Sequence, residues 1–119
     1  HPKIHGGPER AICLYALEKL LALQAEGHPV FPGALGENLT LWGLPWEQVT
    51  PGVILHLGET ATLQVTRYTT PCQTIAGYFR GEDILRVSQK HAPGWSRVYA
   101  RVLQEGVIRI GDAVYLENL

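Results

Sequence analysis

Several features that mark common protein classes are absent from this sequence. The net charge is only -1 and no basic residues cluster, so the composition gives no sign of a nucleic-acid-binding surface. No apolar run approaches the roughly 20 residues that a membrane-spanning helix needs, and no signal-peptide pattern is found in these 119 residues. We therefore expect no nucleic-acid or membrane partner.

Cysteine is scarce and methionine is absent. Cys13 and Cys72 lie far apart and form no CxxC pair, which excludes a zinc ribbon and a dithiol redox motif. Two free thiols favour a cytoplasmic protein, and a single disulfide is the alternative. Because methionine is missing even at position 1, we expect a chain that starts away from its genetic start or has lost its initiator.

The common catalytic motifs are also missing. The sequence contains no GxGxxG, P-loop or HExxH motif and no GxSxG elbow. The five histidines do not share the spacing of metal ligands. The hydrophobic fraction of 45% is ordinary for a globular protein, and the length suits one domain over residues 1–119.

The first regular element is predicted to be a helix. Arg10 to Glu26 carries apolar residues at helical spacing, after Gly7 as a possible cap and before Gly27 as a stop. This helix should pack on the core. Cys13 within it is interpreted as a small buried hydrophobic residue.

The rest of the chain alternates between short strand-like runs and turns. Val53 to Leu57 and Thr60 to Tyr68 resemble paired strands, and the second alternates apolar with polar residues. Further strands are predicted at Asn38 to Trp42, Arg97 to Leu103 and Ala113 to Leu116, and short helices at Gln73 to Phe79 and Glu82 to Lys90. We predict a mainly β (α+β) fold, a mostly antiparallel β-barrel carrying one main helix and short helices.

Two loops and one helix start could carry chemistry. Cys72 follows Pro71, which stiffens the backbone, and a thiolate is both a soft metal ligand and a nucleophile. Packing in the core is an equally good interpretation of this cysteine. Gly36-Glu37-Asn38 could expose backbone N–H groups to an anion, although the segment taken alone favours an ordinary turn before a strand. His5-Gly6-Gly7 precedes the predicted helix, whose N-terminus favours a phosphate.

Taken in order, these segments resemble the MOSC domain, named for the C-terminal part of molybdenum cofactor sulfurases. The resemblance runs from His5-Gly6-Gly7 through Gly36-Glu37-Asn38-Leu39-Thr40 and Pro71-Cys72 to Arg101-Val102-Leu103 and Gly111-Asp112. It is greatest with the small stand-alone bacterial members. The resemblance implies a MOSC-type β-barrel and a link to the molybdenum cofactor, a molybdenum-pterin that carries a phosphate.

The resemblance also implies roles for individual residues. Cys72 would be the molybdenum ligand and catalytic residue of an oxidoreductase that reduces N-hydroxylated bases or similar small compounds, with a possible electron-donor protein. The cofactor-binding residues would be His5, Gly6, Gly7, Gly36, Glu37, Asn38, Arg67 and Thr70. The alternatives are a sulfur carrier with a persulfide on Cys72 and a non-catalytic pterin-binding domain.

The chain departs from the family pattern in two places. Members usually have an opening strand and a glycine-aspartate loop before the HGG motif, so we expect one or more N-terminal strands to be missing here. Many members place an arginine just before the Pro-Cys pair, where this chain has Tyr68, Thr69 and Thr70. We expect Cys72 to face a pocket bordered by the Gly36 to Asn38 loop, and Cys13 to be buried.

Overall fold

The computed structural model describes residues 3–4 and 11–117, and within them the chain is mainly β. The helix and strands are β1 (Lys3–Ile4), β2 (Ile12–Ala16), α1 (Leu17–Ala25), β3 (Leu39–Leu41), β4 (Ile54–Leu57), β5 (Ala61–Tyr68), β6 (Val98–Gln104), β7 (Gly106–Val107) and β8 (Val114–Leu116). Short 3-10 turns occupy Trp46–Gln48, Gln73–Tyr78, Arg80–Glu82 and Ile84–Val87. α1 has nine residues, and no described helix is long and apolar enough to cross a bilayer.

Six strands form one sheet in the order β3-β2-β6-β5-β4-β8. Every pair in it is antiparallel except β2 with β3, which run parallel. Register shifts between Thr62 and Leu63 and between Val65 and Arg67 mark irregularities in the β5–β6 pair, and such bulges increase the local twist. β1 pairs with β7 separately.

The sheet curls into a nearly closed barrel. Its two edge strands, β3 and β8, face each other across a cleft of about 510 Å³ that is also lined by residues 108–113. The core follows the alternation in the sequence: Ala61, Leu63 and Val65 of β5 are buried, whereas Thr62 and Gln64 are half-buried. The prediction of a mainly β, mostly antiparallel barrel with one main helix is confirmed.

The predicted helix from Arg10 to Glu26 is wrong in its first half. Ile12–Ala16 is a strand that is buried throughout and pairs with β3 on one side and β6 on the other. A central strand buried on both faces is a continuous apolar run, which also fits a helical stripe. The helix occupies only Leu17–Ala25, and Arg10 and Gly7 lie outside the described residues.

The predicted end of this helix is confirmed. Gly27 has a φ of 97°, and its N–H donates to the carbonyl of Gln24 while that of His28 donates to Leu23. A glycine in this conformation is a common helix terminus. The structure also contains the other predicted strands, as β3, β4, β5, β6 and β8.

The connection between β5 and β6 holds only 3-10 turns. The predicted helical turn at Gln73 to Phe79 is present as Gln73–Tyr78. The predicted short helix at Glu82 to Lys90 is instead split into two turns, because Gly81 has a φ of 68° and Glu82 a φ of 57°. Cys72 lies at the start of this irregular segment, four residues after the end of β5, and is exposed.

Candidate functional site

Cys72 is the exposed thiol of the described chain. It precedes the 3-10 turn that begins at Gln73, and its Sγ lies 2.8 Å from Oγ1 of Thr74. The hydrogen bond between the Cys72 sulfur and the Thr74 hydroxyl lowers the pKa of Cys72, with smaller contributions from the Thr74 backbone and the positive charge of Arg97. An exposed thiol held toward its thiolate form is suited to bind a metal or attack an electrophile.

Arg67 lies near the end of β5, and Thr70 lies in the segment between β5 and Cys72. Both side chains are exposed. The Arg67 guanidinium carbon stands 4.4 Å from the centre of the Tyr99 ring, so a cation–π contact holds this arginine on the outer face of the β5–β6 pair. Among the described residues, no hydrogen bond joins Arg67 or Thr70 to the Cys72 side chain, whose partner is Thr74. Their predicted role in cofactor binding stays a prediction.

The side chains of the Gly36 to Asn38 loop serve to hold the loop together. The buried Glu37 carboxylate accepts hydrogen bonds from the Leu35 N–H at 3.2 Å and the Thr40 hydroxyl at 3.4 Å. The Asn38 side-chain carbonyl accepts the Cys13 N–H at 2.8 Å, and the Asn38 N–H donates to the Cys13 carbonyl. The loop is therefore fixed to β2 before any ligand binds.

Gly36 has the conformation that the sequence suggests. Its φ of 80° is in the region that favours glycine, and it is exposed. Its N–H, however, donates to the carbonyl of Gly33, closing a turn. The backbone groups of this loop are thus less free for an anion than the sequence suggests, because the N–H groups of Gly36 and Asn38 already have acceptors.

Arg97 connects the two loops, and the sequence reasoning missed it. The side chain is buried, and its Nη1 donates to the carbonyl of Leu35 in the loop that contains Glu37. On the other side, its backbone carbonyl accepts the N–H of Thr69, three residues before Cys72. The signal in the sequence was that Arg97, a charged residue, begins a predicted strand whose alternate residues are small and apolar.

Cys13 is buried, as expected, but on β2 rather than on a helix. Burial raises its pKa, against the smaller lowering effect of Arg97. The pKa is thus raised for the buried Cys13 and lowered for the exposed Cys72, as expected for a packing residue and a reactive residue. Cys13 serves as an internal reference for Cys72.

His5, Gly6 and Gly7 lie outside the described residues. No group of three His, Cys, Asp or Glu side chains within residues 3–4 and 11–117 could hold a metal ion. Asn38 lines the cleft between β3 and β8, but Cys72 does not, so this cleft is not the pocket expected around Cys72.

The sequence and the fold are similar to those of known proteins. Residues 1–115 match the family described as "MOSC domain". The chain is 37% identical over 117 residues to the uncharacterized protein YflK of Bacillus subtilis, covering 97% of this chain and 50% of YflK. It is 33% identical over 117 residues to a protein named "Reductase" from Gibberella moniliformis, covering 94% of this chain and 20% of that protein.

A solved structure shows the same fold. The crystal structure of YiiM from Geobacillus stearothermophilus superposes with a TM-score of 0.69 at 36% identity, covering 90% of this chain and 54% of that one. The chain thus spans about half the length of YflK and of this YiiM.

Proposed function

Because the chain belongs to the MOSC domain family, we propose that it binds the molybdenum cofactor through Cys72 and reduces N-hydroxylated bases or similar small compounds. The observation that carries this proposal is the exposed Cys72 thiol, whose hydrogen bond with Thr74 favours the thiolate. The similarity to a protein named "Reductase" supports the reaction class.

The described residues fit such a cofactor in two respects. A thiolate is a soft ligand of the kind that thiophilic transition metals prefer. In addition, Arg97 is buried near Cys72 with its Nε lacking an acceptor, so a cation is in place for an anionic ligand. Cys72 would hold the metal, and the Gly36 to Asn38 loop, Arg67, Thr70 and the His5-Gly6-Gly7 segment would contact the pterin or its phosphate.

The chemistry divides between the cofactor and the chain. When bound, the cofactor would supply the redox centre, and a separate electron-donor protein would supply electrons. The chain would fix the position of the thiolate through Thr74 and hold the Gly36 to Asn38 loop rigid through Glu37 and Asn38. A loop fixed in advance loses less conformational freedom when a ligand binds.

Metal and pterin analysis of protein from a cofactor-competent host tests this proposal. We expect the parent to contain molybdenum and pterin and Cys72→Ser to lose most of the molybdenum while remaining folded, since the change is small and at the surface. Cys13→Ser is the matched control. It should keep the metal and cost about 1–3 kcal/mol of stability, because it places a hydroxyl in a buried site. Full metal retention by Cys72→Ser would show that Cys72 is not an essential ligand.

The exposed, readily ionised thiol also favours a second candidate, a sulfur carrier. In that case the Cys72 thiolate would attack the outer sulfur of a persulfide on a donor protein, the donor's thiolate would leave, and the protein would contain cyanide-labile sulfur without metal. The same preparations decide between the two, because molybdenum supports the first proposal and labile sulfur alone supports the second. Bound cofactor that never turns over with an N-hydroxylated substrate would indicate a pterin-binding domain without catalysis.

A further inference from the structure

Arg97 is a buried cation whose charge has no close counter-ion in the part of the chain that the structure describes. Its side chain is 7% exposed, and no described carboxylate lies within ion-pair distance of it. Nη1 donates to the Leu35 carbonyl, whereas Nε is buried without an acceptor. Arginine is almost never fully buried unless it is paired, and a buried donor without a partner costs free energy.

A second unsatisfied group stands opposite it. Thr69 is 4% exposed, and its hydroxyl is buried without a hydrogen-bond partner. The Thr69 N–H donates to the Arg97 carbonyl at 3.1 Å, and the last pair of the β5–β6 ladder is Tyr68 with Val98, so Thr69 and Arg97 are opposite each other one residue beyond the strand ends. Directly opposite residues point to the same face of a sheet. The two side chains therefore leave the backbone from neighbouring positions on one face.

The Thr69–Arg97 pair lies near Cys72. Thr69 is three residues before Cys72, and the charge of Arg97 contributes to lowering the pKa of that thiol. Nη1 of Arg97 also fixes the guanidinium to the Gly36 to Asn38 side of the site through Leu35. The cation is thus placed between the two loops that the sequence indicates.

We propose that Arg97 and Thr69 form a binding site for one anionic oxygen of the ligand that Cys72 holds. The Nε–H would donate to this oxygen, and the Thr69 hydroxyl would donate a second hydrogen bond. A charge-assisted hydrogen bond of this kind is about twice as strong as a neutral one. The inference rests on the proposed function only for the identity of the ligand, because the oxygen could belong to the cofactor or to a substrate.

Two structural explanations compete with this proposal. The Glu37 carboxylate accepts a hydrogen bond from the Leu35 N–H, and Arg97 donates to the Leu35 carbonyl. The carboxylate could therefore balance the guanidinium charge indirectly through Leu35. Alternatively, an internal water could satisfy both Nε and the Thr69 hydroxyl, as buried waters often do. Either explanation makes Arg97 a structural residue with no affinity for anions.

The first experiment uses the cofactor-free chain and inorganic phosphate. We expect phosphate to shift the NMR signal of the Arg97 Nε–H in a saturable titration. Arg97→Gln should weaken phosphate binding about tenfold or more, and Thr69→Val, which keeps the side-chain shape, about threefold. Arg101→Gln is the matched control, because Arg101 is exposed and hydrogen-bonded to the Gln64 side chain, and it should leave the affinity unchanged within about twofold.

The outcomes separate the explanations. Absence of saturable binding, equal binding by Arg97→Gln and the parent, or a water that stays between Nε and the Thr69 hydroxyl in crystals grown with phosphate would each overturn the proposal. An unfolded Arg97→Gln would leave Thr69→Val as the decisive variant. This titration does not depend on the proposed function, which the molybdenum content of Cys72→Ser tests separately.

A second experiment distinguishes the source of the oxygen in cofactor-loaded protein. If the oxygen belongs to the cofactor, Arg97→Gln should retain at least threefold less pterin and molybdenum than the parent. If it belongs to the substrate, the variant should keep its cofactor and show a raised KM with little change in kcat. Arg97→Lys should restore part of either effect, because it keeps the charge and loses the guanidinium geometry. Unchanged retention and unchanged KM would contradict the assignment.

Discussion

At the residue scale, Thr74 favours the ionisation of Cys72. Its hydroxyl stands 2.8 Å from the sulfur and is the largest cause of the lowered pKa of Cys72. Thr74→Val removes the hydroxyl and keeps the side-chain shape. We expect the pKa of Cys72 to rise, and alkylation by iodoacetamide at neutral pH to slow roughly threefold, since the thiolate is the reacting form.

The measurement is the alkylation rate of Cys72 as a function of pH, followed by mass spectrometry. Thr74→Ser keeps the hydroxyl and should reproduce the parent curve. Cys13 provides a reference in the same samples, because it is buried and should react only when the protein unfolds. If the Thr74→Val curve coincides with the parent curve, the hydroxyl does not stabilise the thiolate.

Some residues of the candidate site could be predicted from the sequence, and others could not. The position of Cys72 beside Pro71 predicted a loop, and its exposure agrees with that local signal. Arg97 could not be assigned in the same way, because its partners, Leu35 and Thr69, are 62 and 28 residues away, and only the folded sheet brings them together. Local sequence patterns indicated the loops of the candidate site. The buried charge of Arg97 between them could not be predicted, because it depends on which strands pair.

At the element scale, β2 shows why a helix and a strand were confused. Ile12–Ala16 is apolar at every position except for the Tyr15 hydroxyl, so period 2 is hidden when both faces are buried. In β5, by contrast, the outward face carries polar residues and the strand was predicted almost to the residue. The fold class was therefore predictable from the half-exposed strands, and the central strand was not.

β7 depends on a glycine that no other residue can replace without movement. A Cβ on Gly106 would collide with the Thr60 hydroxyl and would lie 2.7 Å from the backbone nitrogen of Ala61. Backbone atoms cannot rotate away as a side chain can. We expect Gly106→Ala to lower the free energy of unfolding by about 1–3 kcal/mol, because overpacking forces the start of β5 away from β7.

Urea unfolding followed by tryptophan fluorescence measures this cost. Gly77→Ala is the matched control, since Gly77 is exposed and a Cβ there would have no neighbour within 4 Å. It should stay within about 0.5 kcal/mol of the parent. Equal midpoints for the two variants would mean that β7 and β5 adjust without strain.

At the scale of the whole molecule, Tyr15 joins the centre of the sheet to the covering loops. The side chain is fully buried, its ring packs edge-on against Trp46 at 6.0 Å, and its hydroxyl donates to the Trp95 carbonyl at 2.6 Å. Trp95 in turn lies under the Arg86 guanidinium, which binds Glu26 just after α1. Strand β2, helix α1 and the segment before β6 therefore meet at this contact.

The ionisation of Tyr15 links this contact to alkaline stability. Burial strongly raises the pKa of the Tyr15 phenol above its usual value of about 10. Above about pH 10 the unfolded chain releases the phenol proton while the folded chain keeps it, so the unfolded state binds fewer protons. The free energy of unfolding should then fall by up to about 1.4 kcal/mol per pH unit from this residue. Cys13, whose pKa is also raised, acts in the same direction at a somewhat lower pH.

Tyr15→Phe separates this contribution from the others. The variant should lose about 1–3 kcal/mol at neutral pH, because the Trp95 carbonyl loses its donor. Between about pH 10 and 11, however, its stability should fall less steeply than that of the parent, since phenylalanine has no proton to lose. Urea midpoints measured for both proteins across this range give the two slopes. Parallel slopes would show that Tyr15 ionises as easily in the folded protein as in the unfolded chain, and the buried phenol would then play no part in alkaline unfolding.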